Sequence, residues 1–199
     1  MNDSFPISAL FAALIPWVVI AVIAFAFLRV ARRKRQIMNP RLGILDLTDG
    51  TSEGIIEEDK AALRDLFTSL EESTNVVPKC DVLFLYATLS EGGTLQKTDR
   101  DLRITIRDSG AKIVVVATEN TNPKPSKDKP TYGRANLVIT GSRNGASFPR
   151  FFRELFTRMK KGQSMPMAWV RIAPQGPNSK HSDCPSTICL MEAGAVSFR

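Results

Sequence analysis

One histidine stands in the whole chain, His181, and only three cysteines, Cys80, Cys184 and Cys189. Structural zinc sites draw their ligands from such residues at short, regular spacings, which His181, Cys184 and Cys189 do not show. No metal site is expected. An odd number of cysteines without a CxxC pair also argues against a secreted disulfide framework and for reduced thiols. Nucleophilic catalysis needs a base held against a Ser or Cys. The single imidazole lies in a polar, Gly/Pro/Ser-rich loop, 175–186, where nothing holds it rigid. A thiol enzyme built on His181 with Cys184 or Cys189 is the weakest of three readings. Neither GxxxxGK[ST] nor GxGxxG occurs, which removes the usual phosphate loops, and no cofactor is expected.

Charge is missing altogether from positions 5–28, a stretch of 24 residues, although the chain as a whole is 24% charged. About 20 apolar residues in a helix span a bilayer core. Residues 7–28 (ISALFAALIPWVVIAVIAFAFL) are therefore expected to form one transmembrane helix, in which Pro16 is tolerable. A cleaved leader carries its cations before the apolar run. Here only Asp3 precedes it, and Arg29, Arg32, Arg33, Lys34 and Arg35 follow. Cations favour the cytoplasmic side. The expected arrangement is an extracytoplasmic N-terminus 1–6, a span 7–28, a basic juxtamembrane linker 29–40 and a cytosolic domain 41–199, in a bacterial inner membrane. The basic cluster would rest on anionic lipid.

That cluster also explains the overall charge. The chain carries +7, from 27 basic and 20 acidic residues, yet residues 36–199 hold 22 and 19. A body so nearly balanced gives no reason to expect DNA binding. At 43% hydrophobic content it is not a disordered chain either.

Residues 42–47 (LGILDL) read as a strand, followed by turn-rich residues 48–54. Ile56, Leu63, Leu66, Phe67 and Leu70 recur at helical spacing, and Glu57, Glu58 and Asp59 suit a helix N-terminus. The runs 81–87 (DVLFLYA) and 112–117 (KIVVVA) read as buried parallel strands. Between them Leu102, Ile104 and Ile106 alternate as in a strand, but parallel strands need a crossover, so a helix over 99–108 is preferred. Residues 122–132 form a Pro/Lys-rich connector and 136–140 (NLVIT) a fourth strand. Phe148, Phe151, Phe152, Leu155, Phe156 and Met159 mark one face of a helix, with Ser147 to cap it and Gly162 to end it. Arg150, Arg153, Arg158, Lys160 and Lys161 form its outer face, read as solvated. Residues 167–172 fit a helix or a strand, and 187–191 with 195–198 suggest a hairpin around 192–194. Strands alternating with helices imply an α/β domain, mainly a parallel sheet with helices on both faces.

In such sheets ligands gather beyond the carboxyl ends of the strands. That rule selects Asp46 and Asp49 after the first strand, Thr88 and Ser90 after the second, and Glu119 and Asn120 after the third. Gly141, Ser142 and Arg143 follow the fourth. Residues 141–145 (GSRNG) read as a plain turn that would also expose N–H groups to an anion. Lys124, Lys127, Lys129, Arg134 and Arg143 would supply a positive rim. The ligand for such a rim is a nucleotide, so a membrane-anchored effector sensing a nucleotide second messenger through a Rossmann-like domain is the alternative reading.

Residues 80–95 (CDVLFLYATLSEGGTL), 110–122 (GAKIVVVATENTN) and 133–169 (GRANLVITGSRNGASFPRFFRELFTRMKKGQSMPMAW) stand in an order and spacing that resembles the second half of a CHAT domain, from the caspase-like clan that also holds caspases and separases. The resemblance implies a strand ending in a His–Gly turn, then a strand leading to a nucleophilic cysteine. After these come a strand, a turn and an aromatic helix. Thr88 stands at the place of that histidine and Glu119 at the place of the cysteine, so the family's protease chemistry is not carried over. What the resemblance implies is a membrane-anchored, catalytically inactive interaction or sensory domain, a pseudoenzyme in a bacterial defence or stress-signalling system. Because a single span encloses no path, a homo-oligomer or protein complex is expected. Ser8, Ala9, Ala12, Ala13, Ala21 and Ala24 would allow close helix packing, and the terminal hairpin would offer an unpaired edge.

Overall fold

Aliphatic runs such as VLFLY and IVVVA leave no polar face for solvent, so they belong in the middle of a sheet covered on both sides. The computed structural model describes residues 17, 18, 20, 22, 36–48, 50, 52–90, 94, 95, 98, 100–117, 133–140, 147–173 and 187–199. The chain divides into two units, Met1–Gln36 and Ile37–Arg199. The elements in chain order are β1 (Arg41–Asp46), α1 (Glu53–Leu63), β2 (Ser69–Ser73), β3 (Val82–Tyr86), α2 (Leu102–Ser109), β4 (Ile113–Ala117), β5 (Asn136–Thr140), α3 (Ser147–Lys160), α4 (Met165–Ile172) and β6 (Thr187–Leu190). These six strands form one sheet in the order β2-β1-β3-β4-β5-β6, and Gln36–Ile37 and Ser197–Phe198 pair in a separate two-stranded sheet. All neighbours are parallel except β5 and β6, which are antiparallel.

Alternate residues of the strands feed two cores. Ile44, Phe84, Val115 and Val138 face α1, α3 and α4, while Leu45, Leu85, Val116 and Ile139 face α2. On the first side Phe84 meets Phe148, Phe152 and Phe156 of α3 edge-on, with ring centroids 6.1, 5.3 and 6.2 Å apart. Aromatic rings favour such edge-to-face contacts. Ser147 is already the first helical residue of α3, and Gly162 beyond its end adopts φ +86. Residues 165–172 resolve as helix, with Pro166 in the first turn where its missing N–H loses nothing.

The helix over 99–108 is present, starting later, at Leu102. The Asp101 carboxylate accepts from the Arg103 N–H at 2.7 Å, and Gly110 closes the helix in the left-handed conformation. A helix puts Leu102 and Ile106 inside together and turns Ile104 out, 46% exposed, which the apparent alternation concealed.

Two expectations are corrected. The helical reading from Ile56 to Leu70 stops early: α1 ends at Leu63, a 3-10 turn covers Arg64–Leu66, and Leu70 lies in β2. The segment SLEES has no apolar periodicity, because it is an edge strand held by its backbone pairing to β1, Leu70 opposite Leu42. The terminal hairpin does not form either. Thr187–Leu190 pairs with β5, and near the chain end the Arg199 N–H donates to the Ile37 carbonyl at 2.9 Å. The turn between them is held from elsewhere: the Asn136 side chain donates to the Gly194 carbonyl and accepts from the Ala193 N–H, both at 2.9 Å.

Trp17, Val18, Ile20 and Val22 are helical and exposed. The rest of the expected span 7–28, with Arg29, Arg32, Arg33, Lys34 and Arg35, lies outside the described residues. Among the described residues no helix is long and apolar enough to cross a membrane.

Candidate functional site

The carboxyl ends of the parallel strands share one rung. Asp46 is in register with Tyr86, Tyr86 with Ala117, Ala117 with Thr140, and Thr140 with Thr187. Aligned residues in a sheet point to the same face, so the rung stands on the side covered by α1 and α3. Three polar side chains on it are engaged. The Asp46 carboxylate, buried at 7% exposure, accepts from the N–H and the hydroxyl of Thr48 at 2.8 and 2.6 Å. It thereby shapes the turn that leaves β1. The Thr140 hydroxyl donates to the Val116 carbonyl at 3.0 Å. The Tyr86 hydroxyl donates to the Asp59 carboxylate at 2.5 Å, with both residues almost wholly buried.

Asp59 was assigned above to a helix N-terminus, but the fold turns it inward. It shares the buried face of α1 with Ile56 and Leu63. That spacing was legible: a carboxylate three residues after one core aliphatic and four before another sits on the apolar stripe, and a buried carboxylate needs a donor. Tyr86, at the end of the neighbouring strand β3, provides one.

Beyond the rung, Thr88 is exposed, while Ser90 is locked into a small hairpin. The Ser90 N–H donates to the Thr94 carbonyl at 2.9 Å, the Ser90 hydroxyl accepts from the Thr94 N–H at 3.1 Å, and Leu89 bridges Leu95. Asp46, Thr88 and Ser90 thus all lie at the strand ends, as the topology rule places them. Asp49, Glu119, Asn120, Gly141, Ser142 and Arg143 lie outside the described residues, as do Lys124, Lys127, Lys129, His181 and Cys184. Arg134 is exposed just ahead of β5.

Thiol chemistry finds no support among the described cysteines. Burial pushes Cys80 up to about 12, helped by the charge of Asp81, and burial alone pushes Cys189 up to about 12. Neither supplies a thiolate near neutral pH. Among the described residues no cluster of His, Cys, Asp and Glu could hold a metal ion.

Two grooves lie away from the strand ends. One, of about 640 Å3, runs between α1 and β2 and is lined by Glu57, Lys60, Arg64, Phe67, Leu70 and Glu72. Its Lys60 bonds to Glu57 and, at 2.7 Å, to Glu72, and those bonds raise its pKa. The other, of about 500 Å3, flanks α2. The basic outer face of α3 is partly committed to the domain itself: Arg153 forks onto Asp65 at 2.6 and 2.7 Å and reaches the Ala62 carbonyl.

No protein-family model matches the chain, and no curated protein matches it.

Proposed function

We propose that this chain is a membrane-tethered, catalytically inactive caspase-like domain that binds or senses a protein partner at the cytoplasmic face. The observation that carries the reading is the sheet order 2-1-3-4-5-6 with a reversed last strand. A flavodoxin-like doubly wound sheet shares the order 2-1-3-4-5. The antiparallel sixth strand favours the caspase-like arrangement over it. The hairpin joining Leu89 to Leu95 directly after β3 also suits the turn that the CHAT resemblance implies there. Thr88, at the head of that hairpin, offers a hydroxyl where the resemblance expects an imidazole, and a hydroxyl cannot take up a proton as a general base does. The uncharged run 5–28 and its trailing cations support the tether.

Full-length protein in isolated membranes tests this reading. Alkaline carbonate should leave it in the membrane pellet, a peptide library should remain uncut, and crosslinking should recover a protein partner. Release by carbonate would remove the tether. Cleavage that disappears in Glu119→Ala or Thr88→Ala would remove the inactive domain.

A further inference from the structure

The groove beside α2 pairs exposed aliphatic side chains with cations. It is lined by Val76, Val77, Lys79, Arg100, Ile104 and Asp108, among others. Val76 is 70% exposed and Ile104 46%. The Asp108 carboxylate is engaged by Arg107 at 3.0 Å. Lys79 donates to the uncharged Asp108 carbonyl, and among the described residues no carboxylate pairs with Arg100. Two positive charges therefore flank two exposed apolar side chains, a combination complementary to a surface that is anionic outside and apolar just beneath.

We propose that this face docks on an anionic lipid surface, with Val76 and Ile104 entering the interfacial layer and Lys79 and Arg100 meeting phosphates. The inference rests on the membrane-tether reading and adds to it the side of the domain that meets the bilayer. Chain geometry selects lipid over an acidic protein. Residues 75–79 lead into β3 at the end of the sheet where the chain enters β1. There the Asp81 N–H donates to the Arg41 carbonyl at 3.0 Å, and the Arg41 N–H donates to the Asp81 carboxylate at 3.0 Å. Arg41 follows closely on Ile37, from which eight residues lead back to Arg29. At most about 3.5 Å per residue, they reach about 30 Å. If residues 7–28 span a bilayer, a groove on this domain is within that reach of it, and even a weak contact is then populated because its local concentration is high.

The test uses the full-length chain in nanodiscs, made either of phosphatidylcholine alone or of phosphatidylcholine with phosphatidylserine, and reads amide hydrogen exchange. Residues 74–79 and 102–107 should exchange more slowly in the phosphatidylserine discs. A Lys79→Gln/Arg100→Gln variant, losing about 1 kcal/mol per cation, should weaken docking about thirtyfold and lose that protection. Val76→Asp, at an exposed position the fold tolerates, should lose it too. Incorporation into discs with equal exchange in both lipids would overturn the docking while leaving the tether intact. A chain that stays out of the discs would overturn both. Protection that requires an added acidic peptide would assign the face to a protein and overturn the lipid assignment.

Discussion

The Tyr86 hydroxyl reaches from the last residue of β3 to the Asp59 carboxylate in the middle of α1, 2.5 Å away in the interior. The bond ties the helix that follows β1 to the carboxyl end of β3. A hydrogen bond in the interior is electrostatically stronger than the same bond in water.

Tyr86→Phe removes the donor and leaves a buried carboxylate less satisfied. The expected loss is about 1–3 kcal/mol of unfolding free energy, measured by urea denaturation. Asp59→Asn, Tyr86→Phe and the double variant should form a cycle with a coupling of about 0.5–3 kcal/mol. Strict additivity would show that the bond contributes nothing.

Gly43 is tight for a different reason. A Cβ there would lie 2.6 Å from the Cys80 sulfur and 2.8 Å from Pro78 Cγ. Gly43→Ala should therefore destabilise the domain by about 1–3 kcal/mol, as overpacking does. Adding Cys80→Ala removes the nearer obstacle and should recover part of the loss in thermal melts.

The buried thiols give a pH signature. With Cys80 at about 12 in the fold and 9.0 as its ordinary value, the folded state holds the proton longer than the unfolded one. Its contribution to stability is present below about pH 9 and is lost as the pH rises towards about 12. Iodoacetamide at pH 8 should leave Cys80 and Cys189 unmodified in the native protein and label both in denaturant, as read by peptide mass mapping. Rapid native labelling of Cys189 would reopen a thiol mechanism.

Acid acts through Asp65. Its bonds to Arg153 hold the carboxyl below its ordinary value, so the stabilisation is present above the ordinary carboxylate range and fades as the pH falls through the lowered value. Asp65→Asn should flatten the acid side of the stability–pH curve. The shift in midpoint should be small and should shrink in high salt, because the pair is solvent-facing.

Strands β3, β4 and β5 and helix α3 were legible because burial leaves a strong trace in composition: unbroken aliphatic runs, and phenylalanines at helical spacing. Strand β2 left none, since Ser69, Glu71 and Glu72 are exposed and the backbone pairing to β1 leaves no trace in composition. The chain end misled for a related reason. Ile188 and Leu190 find their partners in β5, far back in the sequence, and proximity along the chain suggested a hairpin instead. Of the candidate site, Asp46, Thr88 and Ser90 followed from the rule about strand ends. Asp59 required recognising that one of three consecutive acids lay on the apolar stripe of its helix.

The exposed border of the sheet at β2 also sets how copies of this domain can meet. If two copies joined there as an antiparallel ribbon centred on Glu71, that residue would oppose its own counterpart, and Leu70 would oppose Glu72. Like charges placed directly across such a ribbon repel. Acidic side chains at this border thus act as a brake on runaway strand-to-strand polymerisation, even for molecules crowded in a plane. That register of sheet growth along β2 is thereby disfavoured.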